Sequence, residues 1–310
     1  MGRRRKKGRA LSGWLVLDKD YDLGSTEAVS KTRWLFQAQK AGHAGTLDPL
    51  ATGVLPIAFG EATKTVPYVM DAKKQYQFTA SWGAATTTDD AEGEVIARSD
   101  YRPPPEEIKA ALRQFIGEID QTPPQFSAIK VNGERAYDIA RDGERAEIPS
   151  RRVAIYALDL IETPSADTAV FAATTGKGAY VRALVRDLAR ALGTEGHVSS
   201  LRRTAVGAFT ADDAVSISAL EAAPAGEERD DFLIGVEAAL SSLPQTAITG
   251  PEAERLRRGQ PAVITPAAAK GVRGDQAGLI PEVLASLNGS PVAICALDGL
   301  KLKPARVFNL

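Results

Sequence analysis

The chain contains one cysteine, Cys295, and only two histidines, His43 and His197, among its 310 residues. A lone thiol cannot close an internal disulfide and fits a reducing cytosol. So few His and Cys residues also argue against a zinc site. No apolar run approaches the ~18 residues needed to span a bilayer. The basic start, "MGRRRKKGRA", is followed by an apolar stretch that charge interrupts within a few residues, with no small-residue cleavage site, so no targeting segment is expected. Also missing are the G-x-x-x-x-G-K-[ST] phosphate loop, a G-x-G-x-x-G after a strand, H-E-x-x-H and G-x-S-x-G. Their absence removes the usual sequence signatures of nucleotide-dependent, zinc-hydrolase and serine-hydrolase chemistry.

What is present is ordinary for a globular protein: 44% hydrophobic and 25% charged residues, with a net charge of −1. The charge is unevenly placed. Residues 3–9 hold six of the 38 Lys and Arg, so the remainder is acidic on balance. Residues 1–10 therefore read as a flexible basic arm, either plainly solvated or serving a polyanion.

"YQFTASW" (76–82) alternates with period two and predicts a half-buried strand. "VAIYALDLIE" (153–162) and "TAVFAATT" (168–175) are apolar on both faces and read as central strands. Three helices are expected. One covers 24–36, with Ser25 or Thr26 as its cap; a second covers 105–119. The third covers 180–193, with Val181, Leu184, Val185, Leu188 and Leu192 as its buried stripe and Gly193 as its stop. Polar turns at 86–94 and 131–138 join strand-like runs. The pattern lacks regular βαβ alternation and predicts an α+β fold, a mixed and mainly antiparallel sheet with flanking helices. An acidic, Ala/Pro-rich stretch at 221–231 changes the composition. After about residue 245 short strands take over, so 11–245 is expected as the main domain and 246–310 as a small all-β accessory domain.

The chemistry concentrates in "KAGHAGTLDPLATGVLPIAFGEATK" (40–64), where the single carboxylate Asp48 precedes Pro49 in an apolar, Gly-rich loop. Asp before Pro is a common turn element. Here, however, Gly42, Gly45 and Gly53 would let backbone approach a ligand, and Lys40, His43 and Lys64 lie close in sequence. "TTGKGAY" (174–180) could present amides to a phosphate or could be a simple strand-to-helix turn.

"HAGTLDPLATGVLP" with "GEATK" resembles the signature of the TruB family of pseudouridine synthases. "GWLVLDKDYDLGSTEAV", "KKQYQFTASWG", "PPQFSAIKVNGERAYDIAR", "GKGAYVRALVRDLARALG" and "HVSSLRRTAVGAF" resemble further segments of that family in the same order, over roughly residues 13–210. The C-terminal part resembles its PUA module, an RNA-binding β-barrel. One departure is Lys19-Asp20, where the family usually has Lys-Pro; this removes a rigid turn.

The resemblance implies the pseudouridine synthase fold and isomerisation of uridine 55 in the T-loop of tRNA. The N1–C1′ bond breaks, the base turns, and C5 joins C1′. Atoms are conserved, so no cofactor or metal is expected. Asp48 would attack C1′ or take the 2′ proton, and Arg182 would be its cationic partner, able to bind both carboxylate oxygens. Tyr76 would stack on the flipped base and shuttle its C5 proton, although its place on a strand face is also that of a core residue. Tyr180 and Leu201 would line the pocket, and His43 would fill the space the base leaves. Lys19, Lys64, Arg202 and Arg203 would contact phosphate, and Asp90 polar groups near the loop. A segment near 121–150 with Lys130, Asn132, Gly133, Arg135, Arg141 and Arg145 would close on the RNA. The partner implied is the tRNA T-stem-loop. A monomeric cytoplasmic enzyme is expected, with no membrane, guide RNA or required protein partner. The rival readings are an RNA-folding protein with incidental activity, an RNA-guided synthase, and a protein whose Asp48 is only a turn residue.

Overall fold

The computed structural model describes residues 8–127, 129–131, 134–141, 146–274 and 276–310. In chain order, the first half contains β1 (Gly13–Lys19), α1 (Ser25–Leu35), β2 (Ala41–His43), β3 (Thr52–Phe59), α2 (Val66–Asp71), β4 (Lys74–Trp82), β5 (Ala84–Thr86), β6 (Val95–Arg98), α3 (Pro105–Leu112) and β7 (Gly117–Gln121). A hairpin of β8 (Lys130–Val131) and β9 (Glu134–Arg135) leads into α4 (Ala136–Arg141). Then come β10 (Arg151–Ser165), β11 (Thr168–Thr175), α5 (Val181–Ala191), β12 (Gly196–Val206), β13 (Phe209–Thr210), β14 (Val215–Ser216), α6 (Ile217–Ala222) and α7 (Glu227–Asp230).

These strands build a ten-stranded sheet of order β14-β1-β3-β12-β4-β11-β10-β7, with β2 on β3 and β13 on β12. Only the β1–β14 and β3–β12 pairs are parallel. The mixed, mainly antiparallel sheet is therefore the one the sequence pattern calls for. On one face α3 and α5 cover Phe78, Trp82 and Phe171 of β4 and β11. The stripe of α5 (Val181, Leu184, Val185 and Leu188) enters this core, and the helix stops where Gly193 takes φ +72°. Strand β1 is buried on both faces. Leu15 and Leu17 meet α1 and α6, whereas Trp14 and Val16 face a separate cluster.

Three local expectations change. The helix expected over 105–119 ends early: a 3₁₀ turn takes Arg113–Phe115, and Gly117 at φ +104° starts the edge strand β7. The edge position of β7 recruits those residues into pairing with β10. Strand β10 is not buried on both faces, since Tyr156 and Ile161 are exposed. It lies next to the sheet edge, where only one side is covered. In α1 the N-cap is Gly24, without a side-chain cap, and the Ser25 hydroxyl is used elsewhere.

The C-terminal part is a five-stranded sheet of order β15-β17-β18-β19-β16, made by β15 (Gln245–Ala247), β16 (Ala262–Val263), β17 (Ile280–Leu287), β18 (Ser290–Asp298) and β19 (Lys301–Val307). It fits the small PUA-like β module expected, and it also carries two short helices, α8 (Gly250–Arg257) and α9 (Pro266–Arg273), packed on its own core. The module is seated on the large sheet. Leu284, Ile294 and Phe308 join Trp14, Val54 and Val206 in one apolar cluster. Phe308 is 1% exposed. Phe308→Ala is expected to cost about 3–5 kcal/mol by leaving a cavity in that seam. A thermal midpoint equal to wild type would show that the seam does not hold the module.

Among the described residues no helix is long and apolar enough to cross a membrane.

Candidate active site

Between the end of β2 at His43 and the start of β3 at Thr52 the chain leaves the sheet and carries Asp48. Few backbone bonds hold it: Ala44 N–H to Pro56 C=O at 2.9 Å, Ala51 N–H to Asp48 C=O at 3.1 Å and Asp22 N–H to Pro49 C=O at 3.0 Å. Side chains supply the rest of the support. Arg203, almost fully buried on β12, donates to the carbonyls of Val54, Gly45 and Thr46 at 2.8, 3.1 and 3.3 Å. Lys19, at the tip of β1, donates to the carbonyls of Leu23, Asp20 and Pro49 at 2.7, 2.9 and 2.9 Å. Its exposure is 0%, and burial lowers the ammonium to about 8, partly opposed by the Asp48 charge. Gly53, at φ +95°, is required for strand approach: a Cβ there would lie 2.2 Å from the Arg203 carbonyl.

Arg182, in the first turn of α5, stands beside the carboxylate. Its Nε is 2.9 Å from Asp48 Oδ2 and its Nη1 is 3.5 Å from Asp90 Oδ2. Nη1 and Nη2 also donate to the carbonyls of Thr88 and Phe126, each at 2.8 Å. The Arg182 side chain is 5% exposed and that of Asp48 36%, so the cation is enclosed while the acid reaches the surface of the cleft. Arg182 does not grip both oxygens of Asp48. Its fork is spread over two carboxylates and two carbonyls on separate loops.

Asp48 opens into a cleft of about 550 Å³. Tyr76, Tyr180, Val181 and Leu201 supply apolar and aromatic wall, and Gly45 and Thr46 the floor beside the acid. Five basic residues line it: Arg151, Arg152 and Lys177 toward solvent, and the buried Lys74 and Arg203 within its wall. The Gly176-Lys177-Gly178 turn before α5 forms part of the rim, and Lys177 pairs with exposed Asp71 at 3.0 Å. Arg151 donates to Gly178 C=O at 2.5 Å and lies 5.2 Å from the Tyr180 ring centre. Tyr180 is itself fixed by Gln121, which accepts from its N–H at 2.8 Å and donates to its C=O at 3.1 Å. Tyr76 stands beside Arg203 and is one of the groups that favour the charged guanidinium there.

The structure thus brings Asp48, Arg182, Tyr76, Tyr180, Leu201 and Arg203 together. Asp90 is buried behind Arg182, accepting from Thr88 Oγ1 at 2.5 Å and the Glu92 N–H at 3.1 Å, so it meets the arginine rather than the cleft. His43 does not line the cleft. Its ring is half-buried, and burial followed by the Arg203 charge lowers its pKa, which keeps it neutral near pH 7.

Four expected phosphate contacts have other engagements. Lys19 and Arg203 are buried supports of the Asp48 loop, because each ammonium or guanidinium nitrogen is spent on backbone carbonyls. Arg202 points to the opposite side of β12 and binds both oxygens of Asp18 at 2.9 Å. Lys64 pairs with Glu61 at 2.7 Å and donates to Val307 C=O at 2.6 Å, which pins the C-terminal strand to the large domain. Of the basic arm, Arg9 is docked through Asp230 and Gln37, and residues 1–7 lie outside the described residues. So do Asn132, Gly133 and Arg145 and the side chains of Lys130, Arg135 and Arg141.

The sequence reading missed Lys74 and Arg151. Lys74 donates to the carbonyls of Met70 and Ala72, and burial, with Arg203 next, lowers it to about 8. The signal was available, since Lys74 lies two residues before Tyr76 on the same strand face. Among the described residues no group of three or more His, Cys, Asp and Glu could hold a metal ion.

Comparison with known proteins shows the family. Residues 33–181 match the model of the TruB family pseudouridylate synthase N-terminal domain, and residues 182–241 that of the tRNA pseudouridylate synthase B C-terminal domain. The tRNA pseudouridine synthase B of Agrobacterium fabrum is 54% identical over 313 residues, covering 99% of this chain and 97% of that protein. The protein of the same name in Caulobacter vibrioides is 53% identical over 307 residues, covering 99% of each. Among solved structures, a chain of a Cbf5-Nop10-Gar1 complex has a TM-score of 0.71 at 23% identity, over 96% of this chain and 85% of that one. A chain of an H/ACA RNP bound to a substrate RNA containing 2′-deoxyuridine has a TM-score of 0.69 at 21% identity, over 100% and 92%. At such identities the two structures speak to the fold.

Proposed function

This chain belongs to the TruB family of pseudouridylate synthases, and from that premise we propose that it isomerises uridine 55 in the T-loop of tRNA to pseudouridine, alone and without guide RNA. The observation that carries the reading is the partly exposed Asp48 carboxylate, held 2.9 Å from buried Arg182 in a cleft with Tyr76 and Tyr180 on its walls.

A uridine within a folded loop must leave its stack to reach such a carboxylate. Tyr76 offers a ring face for the extruded base, with Tyr180 and Leu201 closing the sides. The Asp48 oxygen not facing Arg182 then meets the ribose, either at C1′ as nucleophile or at the 2′ hydrogen as base. Tyr76 is placed to carry the C5 proton after C5 joins C1′. His43, neutral and close to the loop, fills the position the base vacates. Arg151, Arg152 and Lys177 on the rim suit the flanking phosphates, which supply grip rather than sequence. Residues 11–245 act as the catalytic domain, the insertion near 121–150 closes over the RNA, and 246–310 and the basic arm extend the contact along the tRNA.

The test is incubation of the purified protein with unmodified tRNA transcript, with no guide RNA, second protein or added cofactor, followed by mapping of pseudouridine. One modified position, 55, is expected. Modification elsewhere removes the site assignment, and none at all defeats the reading.

A further inference from the structure

Ser25 opens α1 and is 5% exposed, yet it does not cap that helix. Its hydroxyl accepts from the Leu47 N–H at 2.9 Å and donates to the Leu47 C=O at 2.7 Å. One side chain thus closes both backbone groups of the residue before Asp48, 22 positions later in the chain. We infer that Ser25 is a positioning residue for Asp48, an inference that rests on the catalytic role proposed above for that carboxylate.

The argument is geometric. The Leu47 carbonyl lies in the same rigid peptide plane as the Asp48 nitrogen. Fixing that oxygen on Ser25 fixes the plane and hence the direction in which the Asp48 side chain leaves the backbone. On the other side of Asp48 the Pro49 carbonyl is held by Lys19 and by the Asp22 N–H at 3.0 Å. Upstream, Arg203 holds Gly45 and Thr46. Ser25 therefore supplies the support that lies between Arg203 and Lys19. Leu47 itself is buried, 4% exposed, so water is a poor substitute for the lost hydroxyl. The position demands a small group that both donates and accepts, which a hydroxyl provides and a methyl or hydrogen does not. Without it the 47–48 peptide can rotate, and misplacing a reacting group by about 1 Å costs about 10²-fold in rate.

Wild type, Ser25→Ala and Ser25→Thr are compared on the same tRNA transcript for single-turnover rate at saturating enzyme, for RNA Kd, and for thermal midpoint. Ser25→Ala is expected to lose about 10- to 100-fold in rate with Kd unchanged, and Ser25→Thr, which keeps the hydroxyl, to recover most of it. A folded Ser25→Ala protein with the wild-type rate overturns the inference, as does a loss confined to Kd or a threonine variant as slow as alanine. Should Ser25→Ala fail to fold, Ser25→Cys keeps the volume while weakening both hydrogen bonds, and the same rate comparison decides. Wild type is the control for the underlying reading. No pseudouridine from wild type defeats the proposed function, whereas an active wild type matched by Ser25→Ala defeats only the role of Ser25.

Discussion

Asp48→Asn is expected to abolish pseudouridine formation, by about 10⁴-fold or more, the scale on which removal of a covalent or acid–base catalyst acts, while tRNA still binds with near wild-type Kd. The amide has almost the shape of the carboxylate but neither its charge nor its basicity. It serves neither attack at C1′ nor abstraction of the 2′ hydrogen, so the outcome does not depend on which route operates. Binding should survive because affinity for RNA comes mainly from phosphate contacts, and the basic rim of Arg151, Arg152 and Lys177 is untouched. The fold should survive too: Arg182 keeps Thr88, Phe126 and Asp90 as partners. The substitution removes one of the two carboxylates beside the enclosed guanidinium and leaves Asp90 to balance its charge. Turnover within about tenfold of wild type, far short of that catalytic scale, would remove Asp48 from the chemistry. The same variant separates catalysis from an RNA-folding role. If it still assisted tRNA folding without making product, the two activities would reside in one cleft but depend on different groups.

Much of this site was legible before any coordinates, yet for uneven reasons. Asp48, Tyr76 and Arg182 were identified through ordered motifs, and they converge because β4, α5 and the β2–β3 loop meet at one end of the sheet. The intramolecular partners of the four basic residues were not legible, because charge says nothing about which way a residue faces. Arg202 and Arg203 are adjacent on β12, so period two sends them to opposite sides. With Leu201 on the cleft side, Arg203 had to follow it and Arg202 had to oppose it. Lys19 carried a similar clue. It ends a strand buried on both faces, Trp14 to Leu17, and a lysine continuing such a strand is itself enclosed unless the chain turns outward. Ser25 was hidden by its own plausibility as a helix cap; its partner is 22 residues away and no local rule points there. Likewise the helix at 105–119 stopped early because pairing of Gly117–Gln121 with β10 outweighed helical periodicity, a tertiary preference that a single segment cannot display.

Arg182→Lys is expected to lower kcat by about 10²- to 10³-fold, the range seen when one charge-stabilising donor is lost, and to raise KM as well. A lysine retains the charge, so Coulomb attraction to Asp48 alone would predict little change. The geometry predicts otherwise. Arg182 donates to the carbonyls of Thr88 and Phe126 and stands within ion-pair distance of both Asp48 and Asp90. A single ammonium cannot reach that set, and the side chain is 5% exposed, so water does not readily replace what is lost. Each unsatisfied buried partner costs about 1–3 kcal/mol, and a lower thermal midpoint should accompany the kinetic defect. The rise in KM has a separate cause. Phe126 lies near the start of the 121–150 segment proposed to close over RNA, and the bond from Arg182 ties it to the residue paired with Asp48. With lysine the two become independent, so the proposed closure over RNA would no longer act on the carboxylate. A lysine variant with wild-type kcat would show that charge alone suffices and that the spread fork has no catalytic part. A variant with lowered kcat but unchanged KM would keep the fork and remove its link to the insertion.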